Sequence, residues 1–277
     1  MPEKKKPSGY SLTRFKKIIH GFYLKEGRSF PWRDTRDPYR ILVSEMMLQQ
    51  TQVERVLEKY SPFLKEFPDI RTLARGSLNK VLLLWQGLGY NRRALALYRS
   101  AQKAVKEYHG TLPADITLLR EFPGIGQSTA GALCAFAFDL PVIFIETNIR
   151  RVFIHFFFSQ ARSVRDEELI PLIEATLDKK NPRDWYYALM DYGTMLKKTR
   201  DNPNLRSAHY RVQSRFAGSN REIRGAILRL ITASGPRSKQ EILKDTGFDH
   251  ERIEKSITSL IKEGFLVKKN NWVYIGK

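Results

Sequence analysis

Residues 121–152, EFPGIGQSTAGALCAFAFDLPVIFIETNIRRV, constrain this chain more than any other stretch. Pro123-Gly124-Ile125-Gly126 forces a tight backbone turn, and the chain leaves it directly into an apolar helix predicted over Gln127 to Phe138. Asp139-Leu140-Pro141 breaks that helix. A short apolar run then ends in Glu146-Thr147-Asn148 and a basic pair, Arg150-Arg151. Glycines ahead of a helix N-terminus let backbone come close to a partner, and the free N–H groups there favour an anion.

The charge balance says which anion. Lys and Arg number 48 against 29 Asp and Glu, a formal +19, and no single block of lysines accounts for the surplus. A nucleic-acid phosphate is the partner this implies, with a membrane surface the weaker reading. No stretch reaches the ~18 apolar residues of a membrane span, and the N-terminus lacks a signal-peptide core. The one cysteine, Cys134, excludes an internal disulfide and any four-cysteine metal or iron–sulfur site. Between Leu133 and Ala135 it reads as a small core residue. These features predict an intracellular protein.

In chain order, residues 1–10 are polar and basic and read as a disordered tail. Residues 11–25 carry apolar positions at helical spacing behind Ser11, a candidate N-cap. Trp32 and Arg33 in the FPWR break suit either a buried staple with its salt-bridge partner or a DNA contact. Asp37-Pro38 starts a helix predicted to continue through Tyr60. Glu45 in that helix has Ile41 and Leu42 one turn back and Met46, Met47 and Leu48 directly after it. A mid-helix glutamate usually faces water. One ringed by apolar residues is partly buried, its pKa rises toward neutrality, and it becomes a candidate general acid.

Further helices are expected around 56–66, 71–75, 77–85 and 91–108, separated by Pro62, Pro68, Gly76 and Gly87-Leu88-Gly89-Tyr90. That last turn offers Tyr90 for stacking. A helix over about 115–121 then completes helix, Pro-Gly-Ile-Gly, helix, the helix-hairpin-helix pattern that grips a phosphate without reading sequence. VFIHFFF, starting at Val152, is read as core, with His155 a satisfied core histidine. Helices follow at about 166–179 and 184–197. Residues 197–217 are basic and aperiodic and read as a linker-like segment. Residues 218–277 read as three helices and a hairpin around Asn270-Asn271, a winged helix-turn-helix. Its Arg252, Lys255, Ser256, Ser259 and Lys262 are expected to face away from the apolar stripe and toward DNA, the alternative being a protein contact.

Taken together, DPYRILVSEMMLQQTQVERV, WQGLGYNRRA, FPGIGQSTAGAL, ETNIRRV and MDYGTM resemble, in order and spacing, the MutY-type adenine DNA glycosylases of the helix-hairpin-helix superfamily that includes endonuclease III. The resemblance covers about residues 10–200. It implies a mainly α, two-lobed glycosylase fold over 11–217 with the winged helix appended, acting on double-stranded DNA as a monomer. It also implies cleavage of an N-glycosidic bond after the target nucleotide is flipped out. By this resemblance Glu45 protonates the purine, and Gln50 wedges into the duplex. Tyr90 approaches the lesion, and Gly124, Gly126, Gln127, Ser128 and Thr129 hold the backbone. Glu146 supports the positive charge that develops on the sugar, and Asn148 orders that site, the division of labour seen in glycoside hydrolysis.

The chain departs from the family at several points. Glu146-Thr147-Asn148 stands where Asp-Gly-Asn is usual, and the added methylene moves the carboxylate by about an ångström. The four cysteines of the iron–sulfur loop are absent, Lys197 lying at about the first, so no cluster is expected; a monovalent cation at the hairpin carbonyls stays open. The domain that checks the opposing base is replaced by the winged helix. Ser128 stands where lyase-type relatives have a lysine, which predicts a monofunctional enzyme. The expected substrate is adenine or a modified adenine such as N6-methyladenine or hypoxanthine. The alternatives are a thymine or uracil mismatch glycosylase and a DNA-binding protein that has lost catalysis.

Overall fold

The computed structural model describes residues 10–198, 202–213 and 215–276; the expected tail over 1–10 falls almost wholly outside them. The helices, in order, are α1 Leu12–Glu26, α2 Pro38–Leu48, α3 Val53–Glu66, α4 Ile70–Arg75 and α5 Leu78–Trp85. Next come α6 Arg92–Glu107, α7 Ile116–Leu119, α8 Gln127–Phe138, α9 Thr147–Phe157, α10 Asp166–Thr176 and α11 Pro182–Lys197. A 3-10 turn at Pro203–Arg206 precedes α12 Asn220–Ser234, β1 Arg237–Ser238, α13 Lys239–Thr246, α14 His250–Glu263, β2 Leu266–Lys269 and β3 Trp272–Ile275. No helix among the described residues is long and apolar enough to cross a membrane.

Two compact units form. The first takes the chain up to Asp37, then Ala114–Arg120 and Ile125–Val212. Its core is aromatic: Phe15 of α1 lies 5.0–5.2 Å, centroid to centroid, from Phe153, Phe156 and Phe157 of α9, and 6.0 Å from Trp185 of α11. The VFIHFFF run therefore sits in the core as expected, but His155 does not. It is exposed, because at helical pitch it falls on the outer face while Phe153, Ile154, Phe156 and Phe157 turn inward. Cys134 is buried in α8, and burial pushes its thiol up to about 11, as an inert core residue requires.

The second unit takes Pro38–Pro113, Glu121–Gly124 and the chain from Gln213. Here α2 and α3 are two helices, not the single one expected to Tyr60. Gln50 adopts φ +55, a left-handed conformation that ends α2. Pro62 conversely lies inside α3 and does not divide it. The C-terminal residues form the element order of a winged helix, with a small antiparallel sheet in the order β1-β3-β2. Asn270, at φ +53, turns the hairpin, and Lys269 pairs with Trp272 across it. Strand β1 is too short to show periodicity in sequence.

Candidate active site

In the first unit the site is built on the start of α9. Glu146 is the N-cap, and its Oε1 accepts the backbone N–H groups of Asn148 at 2.7 Å and Ile149 at 2.8 Å. Its Oε2 accepts the Asn148 side-chain amide at 3.2 Å. A carboxylate has about four acceptor positions, so among the described residues three are filled and one is left. Glutamate is an unusual cap; its longer chain curls back onto the helix terminus that an aspartate would reach directly.

Behind this cap stands Arg151. Its Nη1 donates to Asn148 Oδ1 at 2.6 Å and to the Gly193 carbonyl at 2.7 Å, and its Nε to Asn202 Oδ1 at 3.2 Å. Asn204 Nδ2 donates to the Thr147 carbonyl at 3.0 Å. Gly193 must be glycine, since a Cβ there would come within 2.5 Å of the Asn148 carbonyl oxygen. Residues 202–207 are thus a brace and not a loose linker. The buried Asn204 and the bridge from Ser207 to Val164 tie them to the unit. Nothing in the aperiodic sequence announces this, because each anchor is a single polar contact.

Glu146 is half-buried as a residue, and its carboxyl end lies deeper. Burial pushes the carboxyl above its ordinary range, against the pull of the two amides and of Arg151 and Arg150. All three groups bonded to its oxygens are donors, which is what an ionised carboxylate needs.

In the second unit the organising residue is Arg93, whose role no periodicity or spacing in the sequence announces. It is buried, and its Nη1 donates to the carbonyls of Met46 at 2.9 Å and Met47 at 2.7 Å, where α2 ends. Its Nη2 donates to Thr51 Oγ1 at 2.9 Å and to the carbonyls of Leu88 at 3.1 Å and Gly89 at 3.0 Å. Burial with no carboxylate among these acceptors lowers its pKa to about 10. One guanidinium thereby joins the helix that carries Glu45, the turn at Gln50 and the turn at Tyr90. Gln50 and Tyr90 both adopt positive φ, +55 and +46, a conformation uncommon for such residues and concentrated at functional sites. Gln50 is exposed. Glu45 is half-buried between the buried Ser44 and Met46.

The two hairpin glycines differ. Gly124 has φ +74, and a Cβ would stand 2.6 Å from Ala96 Cβ and 2.9 Å from Met46 Cε, so the fold itself requires glycine. Gly126 is exposed, and a Cβ there would meet nothing within 4 Å, which leaves its backbone approachable. Gln127 is exposed and Ser128 half-buried on the first turn of α8, whereas Thr129 is buried.

The choice left open for Trp32 and Arg33 falls on the structural side. Trp32 is buried and stacks on Phe30 at 5.0 Å. Arg33 grips both oxygens of the buried Asp191, at 2.8 and 2.7 Å, and lies 4.3 Å from the Tyr187 ring centroid. Among the winged-helix residues, Ser256 is buried, contrary to expectation, because it shares the inner face with Ile253, Ile257 and Leu260. Ser259 donates to Glu263 Oε1 at 2.9 Å. Arg252 donates to the Gly218 carbonyl at 2.6 Å, and Lys255 pairs with Glu251. Lys262 is exposed.

A model of the HhH-GPD superfamily of base excision DNA repair proteins matches residues 43–172. An adenine DNA glycosylase of Mycolicibacterium smegmatis is 30% identical over 258 residues, spanning 86% of this chain and 88% of that protein. One from Buchnera aphidicola subsp. Baizongia pistaciae is 34% identical over 187 residues, 67% of this chain and 53% of that protein. The chain spans about half the length of the first curated relatives it matches. Among solved structures, a thermostable thymine-DNA glycosylase superposes with a TM-score of 0.61 at 24% identity, over 69% of this chain and 90% of that one. An endonuclease III in a non-covalent DNA complex gives 0.59 at 16% identity, with the same coverage. At such identities these two structures establish the shared fold.

Proposed function

Because the chain belongs to the adenine DNA glycosylase family of the HhH-GPD superfamily, we propose that it is a DNA N-glycosylase excising adenine or a modified adenine from duplex DNA. The observation that carries this reading is the capped carboxylate of Glu146, held by two backbone amides and the Asn148 side chain. Glu45 gives its proton to a ring nitrogen of the flipped purine. The bond from the base nitrogen to the sugar then breaks, its electron pair leaving with the base. The positive charge on the sugar is met by the Glu146 carboxylate, and water adds to the sugar to leave an abasic site. The lost proton returns to the enzyme from that water.

Ser128 offers no amine, so no Schiff base forms and the strand stays intact. Borohydride trapping should therefore give no covalent adduct. A four-thiolate cluster cannot be built from one cysteine, and the reading needs none. Within the hairpin, the carbonyls of Pro123 and Gly124 accept side-chain donors, from Ser100 at 2.9 Å and Gln49 at 3.4 Å. A monovalent cation there would draw on other carbonyls of the turn, and replacing potassium by choline in a DNA-binding titration tests for it. Sedimentation checks the expected monomer.

The deciding experiment is a panel of duplexes carrying adenine opposite guanine or 8-oxoguanine, N6-methyladenine, hypoxanthine, and thymine or uracil opposite guanine, with alkali to reveal abasic sites. Adenine-type bases should be released, and Glu45→Gln should slow release by about 10²–10⁴-fold. Release of thymine or uracil with every adenine-type base intact overturns the reading.

A further inference from the structure

The winged helix contributes a side chain to the turn that carries Tyr90. Arg221, in the first turn of α12, donates from Nη1 to the Tyr90 hydroxyl at 2.7 Å, and its guanidinium carbon lies 5.5 Å from the ring centroid. Arg93 approaches the same ring at 5.6 Å. One tyrosine is thus held by two cations, one from the body of the unit and one from the C-terminal module, each within cation–π range. The restraint matters because of the backbone beneath it. Gly87, Gly89 and Tyr90 all have positive φ, at +94, +73 and +46, and a tyrosine does not hold that conformation without help.

The position of Arg221 is itself fixed. Thr232, at the far end of α12, accepts from Gln86 Nε2 of the turn after α5 at 2.9 Å. Glu263, at the end of α14, is clamped by Arg224 of α12 and by Arg92 of α6, each making two bonds of 2.7 and 2.9 Å. Arg99 of α6 donates to the Glu263 carbonyl at 2.9 Å. The module is therefore anchored on α5 and α6, the two helices that flank the Tyr90 turn.

We propose that Arg221 is a positioning residue for Tyr90, so that the C-terminal winged helix completes the lesion-reading turn of the glycosylase. This rests on the functional reading above, in which Tyr90 approaches the lesion. In this arrangement the winged helix affects recognition of the damaged site through a protein contact, whatever its own affinity for DNA.

A double-mutant cycle on the full chain tests the proposal, using wild type, Arg221→Ala, Tyr90→Phe and the double variant. Two quantities are read: the dissociation constant for a duplex bearing a tetrahydrofuran abasic analogue, relative to undamaged duplex, and single-turnover release of adenine. Arg221→Ala should weaken the preference for the abasic duplex by about tenfold, the size of a lost charge-assisted hydrogen bond. The double variant should be no worse than Arg221→Ala, because the hydroxyl and its donor act as one unit. Arg221→Lys keeps a donor and should lie within about threefold of wild type. A purely structural role would weaken both duplexes alike and leave the preference unchanged. An unchanged preference, or effects that multiply in the double variant, overturns the proposal. If wild type releases no adenine yet the coupling is present in binding, the substrate assignment fails and the positioning role stands; release without coupling gives the reverse.

Discussion

Two carboxylates of the first unit, Asp191 and Glu146, are both set among arginines and differ in how they are held. Asp191 meets the guanidinium groups of Arg28 and Arg33 directly, three bonds at 2.7–2.8 Å, and accepts the Arg28 backbone N–H at 2.8 Å. Burial alone would raise its pKa, but the bonds and charges of Arg33, then Arg28, more than offset that and hold it below the usual range. Among the described residues Glu146 accepts hydrogen bonds from neutral donors alone, and Arg151 reaches it through Asn148. There burial wins and the carboxyl is held high. A saturated carboxylate is a rivet. One kept in place by amides, with its cation set behind Asn148, is the kind the proposed reaction calls for at a developing positive charge.

The largest expected effect tests the rivet. Asp191→Asn leaves Arg33 buried without its counter-charge and should lower stability by about 3–5 kcal/mol in urea denaturation. Excision per folded molecule should change only a few-fold; a specific loss of activity with stability intact would erase the distinction between the two carboxylates. Glu146→Gln should do the opposite. It keeps an acceptor for the helix cap, so the urea midpoint should not fall, while single-turnover release of adenine drops about a thousandfold, or roughly 4 kcal/mol.

Arg93→Lys comes next. A lysine cannot span the acceptors at the end of α2 and at the Tyr90 turn, so stability should fall by about 2–3 kcal/mol. Release should also slow more than undamaged-duplex binding weakens, since Glu45, Gln50 and Tyr90 lose a common support. Equal losses in both would reduce Arg93 to a stability residue.

The smallest effect is one of sign, read from urea midpoints across acid pH. Asp191 is depressed, so its stabilising contribution is present above about pH 3.9, the unfolded value, and disappears as pH falls through the lower folded value. Asp191→Asn should remove that acid-side loss. Glu146 is raised, so its contribution favours the folded state at low pH and declines as pH climbs from about 4.3 through the folded value. Relative to wild type, Glu146→Gln should therefore gain stability as pH rises through that window. A wild type that gains there would show that the amides outweigh burial.

Much of this was legible in the chain. The bounds of α8, the capped helix after Ser11 and the hairpin at Asn270 follow from local signals, because glycine, proline, capping side chains and periodicity act within a turn or two of themselves. Glu45 is marked by its apolar neighbours, Tyr90 by its glycine turn and Glu146 by its place after an apolar run, and the motifs that resemble a known family add Gln50. The bend at Gln50 was not legible, since the helical pattern of α2 runs on into α3 without a glycine or proline to stop it. The true work of Gly124, clearing Ala96 and Met46, was not legible either, although the glycine itself was plain.

What the sequence determined by itself is a basic, mainly helical chain with a glycine hairpin ahead of an apolar helix and two carboxylates, Glu45 and Glu146, set beside apolar runs. Tertiary structure alone decided what holds them. Asp191 meets Arg33 across 158 positions, Arg151 reaches Gly193 across 42, Arg93 reaches Met46 across 47, and Arg221 reaches Tyr90 across 131. Polar partners of this kind satisfy buried charge with whatever the fold brings near, and they leave no period or spacing in the chain for a reader to find.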